Sequence, residues 1–146
     1  MQVRNWMTKE VVTVSGATGI RVAANLMKTK KIRHLPVMEG ERLVGIVTDR
    51  DLRQAMPPQA LALDVHELDY LMDEVHVSDV MTKRVVGVSP DVSFAKAADL
   101  MVRNKIGCLV VLEGEALVGI ITESDILRAV ADKEALFEVP VSRGKG

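Results

Sequence analysis

Cysteine is nearly absent from this 146-residue chain: Cys108 stands alone, so no intrachain disulfide can form, and its apolar neighbours mark it as a buried thiol. Aromatic residues are as scarce. Trp6, Tyr70, Phe94 and Phe137 are too few for a base-stacking platform, and a net charge of −1 gives no general attraction to nucleic acid or to an anionic membrane surface. No apolar run approaches the roughly 18 residues of a membrane span, and no basic-apolar-small pattern opens the chain, so the expectation is a cytoplasmic protein. Phosphate-loop, dinucleotide, nucleophile-elbow and Cys-x-x-Cys signatures do not occur, and His34, His66 and His76 lack zinc-ligand spacing. Neither an enzyme nor a catalytic or metal site is expected.

What is present is a duplication. Met7 recurs as Met81, Gly45 as Gly119 and Asp51 as Asp125, at a constant spacing of 74 positions. Trp6 to Asp51 aligns on the later copy without a gap, with about half the positions identical, which marks two copies of one structural unit.

Each unit reads in the same order. Val11–Val14 and Val85–Val88 are short β-branched runs stopped by turn formers, Ser15-Gly16 and Ser89-Pro90. Ile20, Ala23, Ala24 and Met27, like Phe94, Ala97, Ala98 and Met101, then recur at the spacing of one helix face. Two apolar runs follow, Leu35–Met38 with Leu43–Val47 and Cys108–Leu112 with Leu117–Ile121. A Gly-containing turn joins each pair as a hairpin. A second helix begins near Thr48 and Thr122, so the unit is βαββα and the class is α+β. A unit of this size cannot bury its helices and sheet face alone, so the copies should pack face to face about a pseudo-twofold axis, leaving two clefts between them.

The strand exits carry the candidate chemistry: Gly45-Ile46-Val47-Thr48-Asp49-Arg50-Asp51 and Gly119-Ile120-Ile121-Thr122-Glu123-Ser124-Asp125. A helix N-terminus presents unpaired N–H groups that suit a phosphate, and a carboxylate three residues after a hydroxyl can accept hydrogen bonds from ribose. The alternative is a capping box, with Thr48 or Thr122 as N-cap and Asp51 or Asp125 at the third helical position.

With its Asp79-Val80-Met81-Thr82 lead-in, its Lys31-Ile32-Arg33-His34-Leu35-Pro36-Val37 segment and its two Gly-x-x-Thr-x-x-Asp motifs, the chain resembles a tandem pair of CBS domains, the Bateman module. The resemblance covers nearly the whole chain. It implies a dimeric disc and adenosyl ligands, AMP, ADP, ATP or S-adenosylmethionine, bound in the inter-repeat clefts as regulators. It assigns the phosphate or ribose to Thr48 and Thr122 and the ribose hydroxyls to Asp51 and Asp125. It also pairs Asp51 with Val86, Gly87 and Val88, pairs Asp125 with Val12, Thr13 and Val14, and brings Gly45, Gly119 and Pro36 into the sites. Arg33 and His34 stand where basic residues of the family meet phosphate, whereas the second copy has Gly107 and Cys108 there. The two clefts are therefore expected to differ.

The units are expected at 1–56 and 79–139, with a linker at 57–78 and a flexible tail at 140–146. In the linker Pro57-Pro58 interrupts any helix, and Leu68, Leu71, Met72 and Val75 predict an acidic amphipathic helix within Leu61–Val75 that covers the core or serves a protein partner. The wording Leu63-Asp64-Val65-His66-Glu67-Leu68 resembles the linker of acetoin-utilisation-type CBS proteins. Two functions follow: an adenine-nucleotide sensor, homodimeric because its helix faces are left uncovered, or a structural dimerisation module with empty clefts.

Overall fold

The computed structural model describes residues 1–56 and 64–136. Repeat 1 consists of β1 (Val14–Ser15), α1 (Ile20–Lys30), β2 (His34–Glu39), β3 (Arg42–Thr48) and α2 (Asp49–Gln54). Repeat 2 consists of β4 (Gly87–Val88), α5 (Phe94–Asn104), β5 (Cys108–Glu113), β6 (Ala116–Thr122) and α6 (Glu123–Leu136). Between them lie α3 (Val65–Asp73) and α4 (Val77–Val80). This is the α+β class with duplicated βαββα units, each built on a three-stranded sheet in the order β1-β2-β3 or β4-β5-β6.

The hairpins close where the sequence places glycine. Gly40 and Gly114 take φ of +61° and +62° between the Glu39–Arg42 and Glu113–Ala116 pairs, a backbone region closed to most side chains. The predicted helix faces are the buried ones: Ile20, Ala23 and Met27 on α1, Phe94, Ala97 and Met101 on α5. Burying each large side chain stabilises the fold by about 1.5–3 kcal/mol.

The first strands are shorter than the β-branched runs. Only Val14–Ser15 and Gly87–Val88 pair, in parallel with Val37–Met38 and Val110–Val111. The reason is an exchange between the repeats. Thr8 bridges Ile120 of repeat 2, and Thr82 bridges Ile46 of repeat 1, so each chain segment must cross from the other repeat's sheet to its own. Val3, in the 3-10 turn Val3–Asn5, is buried in the core of repeat 2, and Val77 on α4 in the core of repeat 1. Gln2 pairs with Ser93 as Gly19 pairs with His76, completing the twofold pattern. Gly45 and Gly119 make the crossing possible. A Cβ at Gly45 would lie 2.7 Å from Met81 Sδ and 2.9 Å from Thr82 O, and one at Gly119 2.6 Å from Met7 Sδ and 3.1 Å from Thr8 O.

The inserted helix is α3, within the predicted span; Leu61–Leu63, Pro57-Pro58 and the tail 140–146 lie outside the described residues. Asp64 caps α3 by accepting a 2.8 Å hydrogen bond from the Glu67 N–H. Met72 packs on the core of repeat 1, while Arg21 of α1 reaches Asp69 at 2.9 Å and Asp73 at 3.4 Å. Thus α3 covers α1. The corresponding face of repeat 2 carries no such cover among the described residues, and Val102, Leu127 and Val130 are exposed there at 76%, 68% and 48%.

Candidate functional site

Both Thr-x-x-Asp motifs fold as the local chemistry dictates. In repeat 1, Thr48 Oγ1 accepts the Asp51 N–H at 3.1 Å and Asp51 Oδ2 accepts the Thr48 N–H at 2.9 Å, a complete capping box. In repeat 2, Asp125 Oδ2 accepts the Thr122 N–H at 2.9 Å and its hydroxyl at 3.2 Å. Asp125 Oδ1 accepts from Arg128 Nη2 at 2.8 Å. Asp125 is 6% exposed and is the one buried charged residue among those described. Its carboxylate is stable there because both oxygens are hydrogen-bonded.

A cavity of about 450 Å³ opens above Asp125, between the repeats. Val11 and Val12 from the crossing segment and Ile32 supply apolar wall; Thr122, Ser124 and Asp125 mark the start of α6. Lys31 and Arg33, from the stretch between α1 and β2, and His34, which opens β2, face them with Arg128, Glu10 and Glu123. The structure thus assigns Arg33 and His34 to the Asp125 cleft. Of the three residues paired with Asp125 by resemblance, Val12 lines this cavity. Thr13 instead lines a groove between the hairpins, and Val14 is buried in the core of repeat 1. Pro36 is buried within β2, and Gly119 sits beneath Met7 and Thr8 rather than on the cavity wall. In the other half of the site set, Val88 is buried in the core of repeat 2, and Gly87 packs on Val110 and Leu112.

His34 departs from the expected role of a standing positive charge. Burial lowers its pKa from the ordinary value, with the Arg33 charge acting in the same direction and Glu123 and Asp51 opposing, so the imidazole is neutral at physiological pH. It lies near the axis: a Cβ on Gly107 would come within 3.3 Å of His34 Nε2 and 3.5 Å of Glu123 Cδ. Gly107 is small because the other repeat's histidine occupies that space. Cys108, the positional mate of His34, is buried as expected, and desolvation followed by the nearby Glu123 charge pushes its thiol up to about 12.

Pro36 has a consequence that composition alone does not reveal. In repeat 2, Val110 of β5 donates its N–H to the Val86 carbonyl at 3.3 Å. The equivalent donor in repeat 1 is Pro36, which has no N–H, so the Val12 carbonyl receives nothing from β2. Pro36 itself loses no bond to β3, because Ile46, its partner there, exchanges both backbone hydrogen bonds with Thr82 instead. Polar lining residues that sequence reasoning did not place in the site include Glu10, Ser124 and Arg128. Their signal was available, because mapping each repeat onto the other pairs Glu10 with Arg84, Ser124 with Arg50 and Arg128 with Gln54.

Fold and cleft together define a duplicated module in which paired sheets and swapped lead-in segments frame an inter-repeat pocket. The family profile described as CBS domain matches residues 3–58 and 77–132, and the chain belongs to that family as a tandem CBS pair. It is 34% identical to the CBS domain-containing protein YhcV of Bacillus subtilis over 85% of this chain and 81% of that protein. It is also 37% identical to the inosine-5'-monophosphate dehydrogenase of Methanocaldococcus jannaschii over 93% of this chain and 26% of the enzyme, so it spans about a quarter of that relative's length. Among solved structures, a Vibrio cholerae protein assigned to acetoin utilization (AcuB) superposes with a TM-score of 0.77 at 30% identity, covering 96% of this chain and 98% of that one. The CBS domain pair of protein MJ0100, in complex with 5'-methylthioadenosine and S-adenosyl-L-methionine, superposes with a TM-score of 0.77 at 25% identity over 91% and 98% of the two chains. No helix among the described residues is long and apolar enough to cross a membrane.

Proposed function

We propose that the protein is a regulatory module that senses an adenosine nucleotide or related adenosyl ligand in its inter-repeat clefts. The observation that carries the reading is the Asp125 cavity, whose lining brings together an apolar wall, the Val12 carbonyl that β2 leaves without a donor, a buried carboxylate and cationic side chains. The adenine rests on Val11 and Val12 and gives its exocyclic amine to the Val12 carbonyl. Asp125 takes the ribose hydroxyls, and the phosphate meets Arg33, Lys31 and the first turn of α6. The adenosyl ligands bound by MJ0100 support the ligand class. Asp51, with Thr48 and the Val86–Val88 segment, forms the second site by symmetry. No catalytic step and no metal is assigned to either cleft.

The module works as a sensor when ligand binding favours one arrangement of the two repeats, or of two copies, over another. A second copy is the partner that fits the uncovered α5–α6 face, where Val102, Leu127 and Val130 replace the charged Lys28 and Arg53 and partly buried Met56 of repeat 1. Light scattering is expected to give twice the 16.0 kDa chain mass, and a monomer at micromolar concentration rules the dimer out.

The competing reading, a structural module with empty clefts, draws on the capping bonds that both Thr/Asp pairs already make. Calorimetry separates the two. AMP, ADP, ATP or S-adenosylmethionine is expected to bind, and Asp125→Ala and Asp51→Ala are each expected to weaken one site by about tenfold or more, as loss of a charged hydrogen-bond acceptor implies. Absence of heat and of thermal shift with every adenosyl ligand leaves the structural reading.

A further inference from the structure

Arg128 occupies the oxygen of Asp125 that a ribose would need. Its Nη2 lies 2.8 Å from Asp125 Oδ1 while Oδ2 is already engaged by the N–H and hydroxyl of Thr122, so the carboxylate has no oxygen without a protein partner. The two side chains sit differently: that of Asp125 is buried and anchored, whereas that of Arg128 is 68% exposed and lines the cavity on a long stem. The Asp51 motif has no counterpart. Gln54 stands in the place of Arg128, and among the described residues Asp51 Oδ1 has no hydrogen-bond donor.

We infer that Arg128 is a specificity gate for the Asp125 cleft, holding its ribose-binding carboxylate closed until an anionic group on the ligand draws the guanidinium away. The inference rests on the adenosyl reading of this cleft. A nucleoside without phosphate must displace the arginine and leave it uncompensated. A nucleotide offers it a phosphate within the same cavity, so the ion pair is exchanged rather than lost. The cleft therefore selects for the phosphate twice, once through Arg33 and once through the release of Asp125. The Asp51 cleft, with glutamine at the equivalent position, admits the uncharged nucleoside without this exchange.

The test is calorimetric titration of adenosine and AMP into Asp51→Ala protein, which leaves the Asp125 cleft to be read alone, and into the same protein carrying Arg128→Gln or Arg128→Lys. Arg128→Gln is expected to tighten adenosine about threefold, the scale of a partly exposed ion pair, and to weaken AMP, so that the preference for AMP collapses by about tenfold. Arg128→Lys should restore most of that preference. Adenosine affinity unchanged or weakened by Arg128→Gln overturns the gate, whether or not AMP is affected. Binding of neither ligand to wild type or to any variant overturns the adenosyl reading and the gate with it, an outcome distinct from binding that Arg128 does not modulate.

Discussion

Repeat 1 and repeat 2 share their pairing registers, from Val14↔Val37 and its counterpart Val88↔Val111 through the hairpins to Thr48 and Thr122, yet the side chains at several equivalent positions differ. Arg33 has Gly107 as its positional mate, His34 has Cys108, Pro36 has Val110, Glu10 has Arg84 and Arg128 has Gln54. Positions that build the scaffold, such as Ala23 and Ala97, Leu35 and Leu109 or Val37 and Val111, are alike and fully buried. The difference is partly forced. Close to a pseudo-twofold axis the equivalent stretches of the two repeats share space, and His34 lies so near Gly107, the mate of Arg33, that a side chain there cannot fit unless His34 moves. Symmetry of the backbone thus demands asymmetry of the side chains at the axis.

The comparison is tested most severely at the crossing glycines. Gly45→Ala is expected to lower the stability to urea by about 2–3 kcal/mol, because a Cβ there meets the fixed Thr82 carbonyl. Gly119→Ala should cost less, about 1–2 kcal/mol, because both positions meet a methionine that can move but the Thr8 carbonyl stands at 3.1 Å from the added Cβ, against 2.9 Å for Thr82 at Gly45. Equal losses would remove the distinction between the repeats' contacts.

Base recognition comes next. With no donor to the Val12 carbonyl among the described residues, the Asp125 cleft should prefer AMP to IMP by about tenfold, the worth of one hydrogen bond lost, while an Asp51 site shows little preference. Pro36→Val supplies the missing N–H and should erase the preference in competition titrations. Phosphate recognition is of similar size: Arg33→Ala is expected to weaken AMP about tenfold at one site and to leave adenosine unaffected, whereas two equal AMP sites insensitive to it would contradict the assignment.

A smaller effect follows from His34. Its pKa is depressed in the empty cleft by burial, and a bound phosphate dianion raises it, so the bound form holds more proton and AMP binds more tightly as pH falls from neutral through the range of the bound histidine. Calorimetry in buffers of different ionisation enthalpy should show proton uptake with AMP, none with adenosine, and none after His34→Gln. The smallest effect concerns Lys31 and Lys105, which end α1 and α5 with φ of 56° and 54°, a conformation that favours glycine. Lys31→Gly and Lys105→Gly should each stabilise the fold by about 0.5–1 kcal/mol, but only the first should weaken AMP, because only Lys31 lines the Asp125 cavity.

Most of the fold was legible because duplication repeats the signal: the hairpin glycines, the Ala-Ala helix faces and the strand-exit motifs each occur twice. The lengths of β1 and β4 were not, since the runs Val11–Val14 and Val85–Val88 have strand composition throughout and only the exchange of Thr8 and Thr82 between sheets explains where pairing stops. The cleft that Arg33 and His34 face was likewise beyond the sequence. His34 packs against Gly107 and Glu123 of the other repeat, and Arg33 lines the same cavity, a placement that exists only once the chain is folded. Arg128 escaped notice for a different reason: three positions beyond Asp125 on an exposed helix, it has the appearance of an ordinary surface ion pair.

The exchanged lead-in segments also govern how the molecule can be taken apart. Val3 completes the core of repeat 2 and Val77 that of repeat 1, so neither repeat, expressed alone with its own lead-in, possesses a whole interior. The units of homology are therefore not the units of cooperativity. Unfolding should proceed in one transition, and fragments separated in the 57–63 connection should recover structure only when mixed, each supplying the plug that the other lacks.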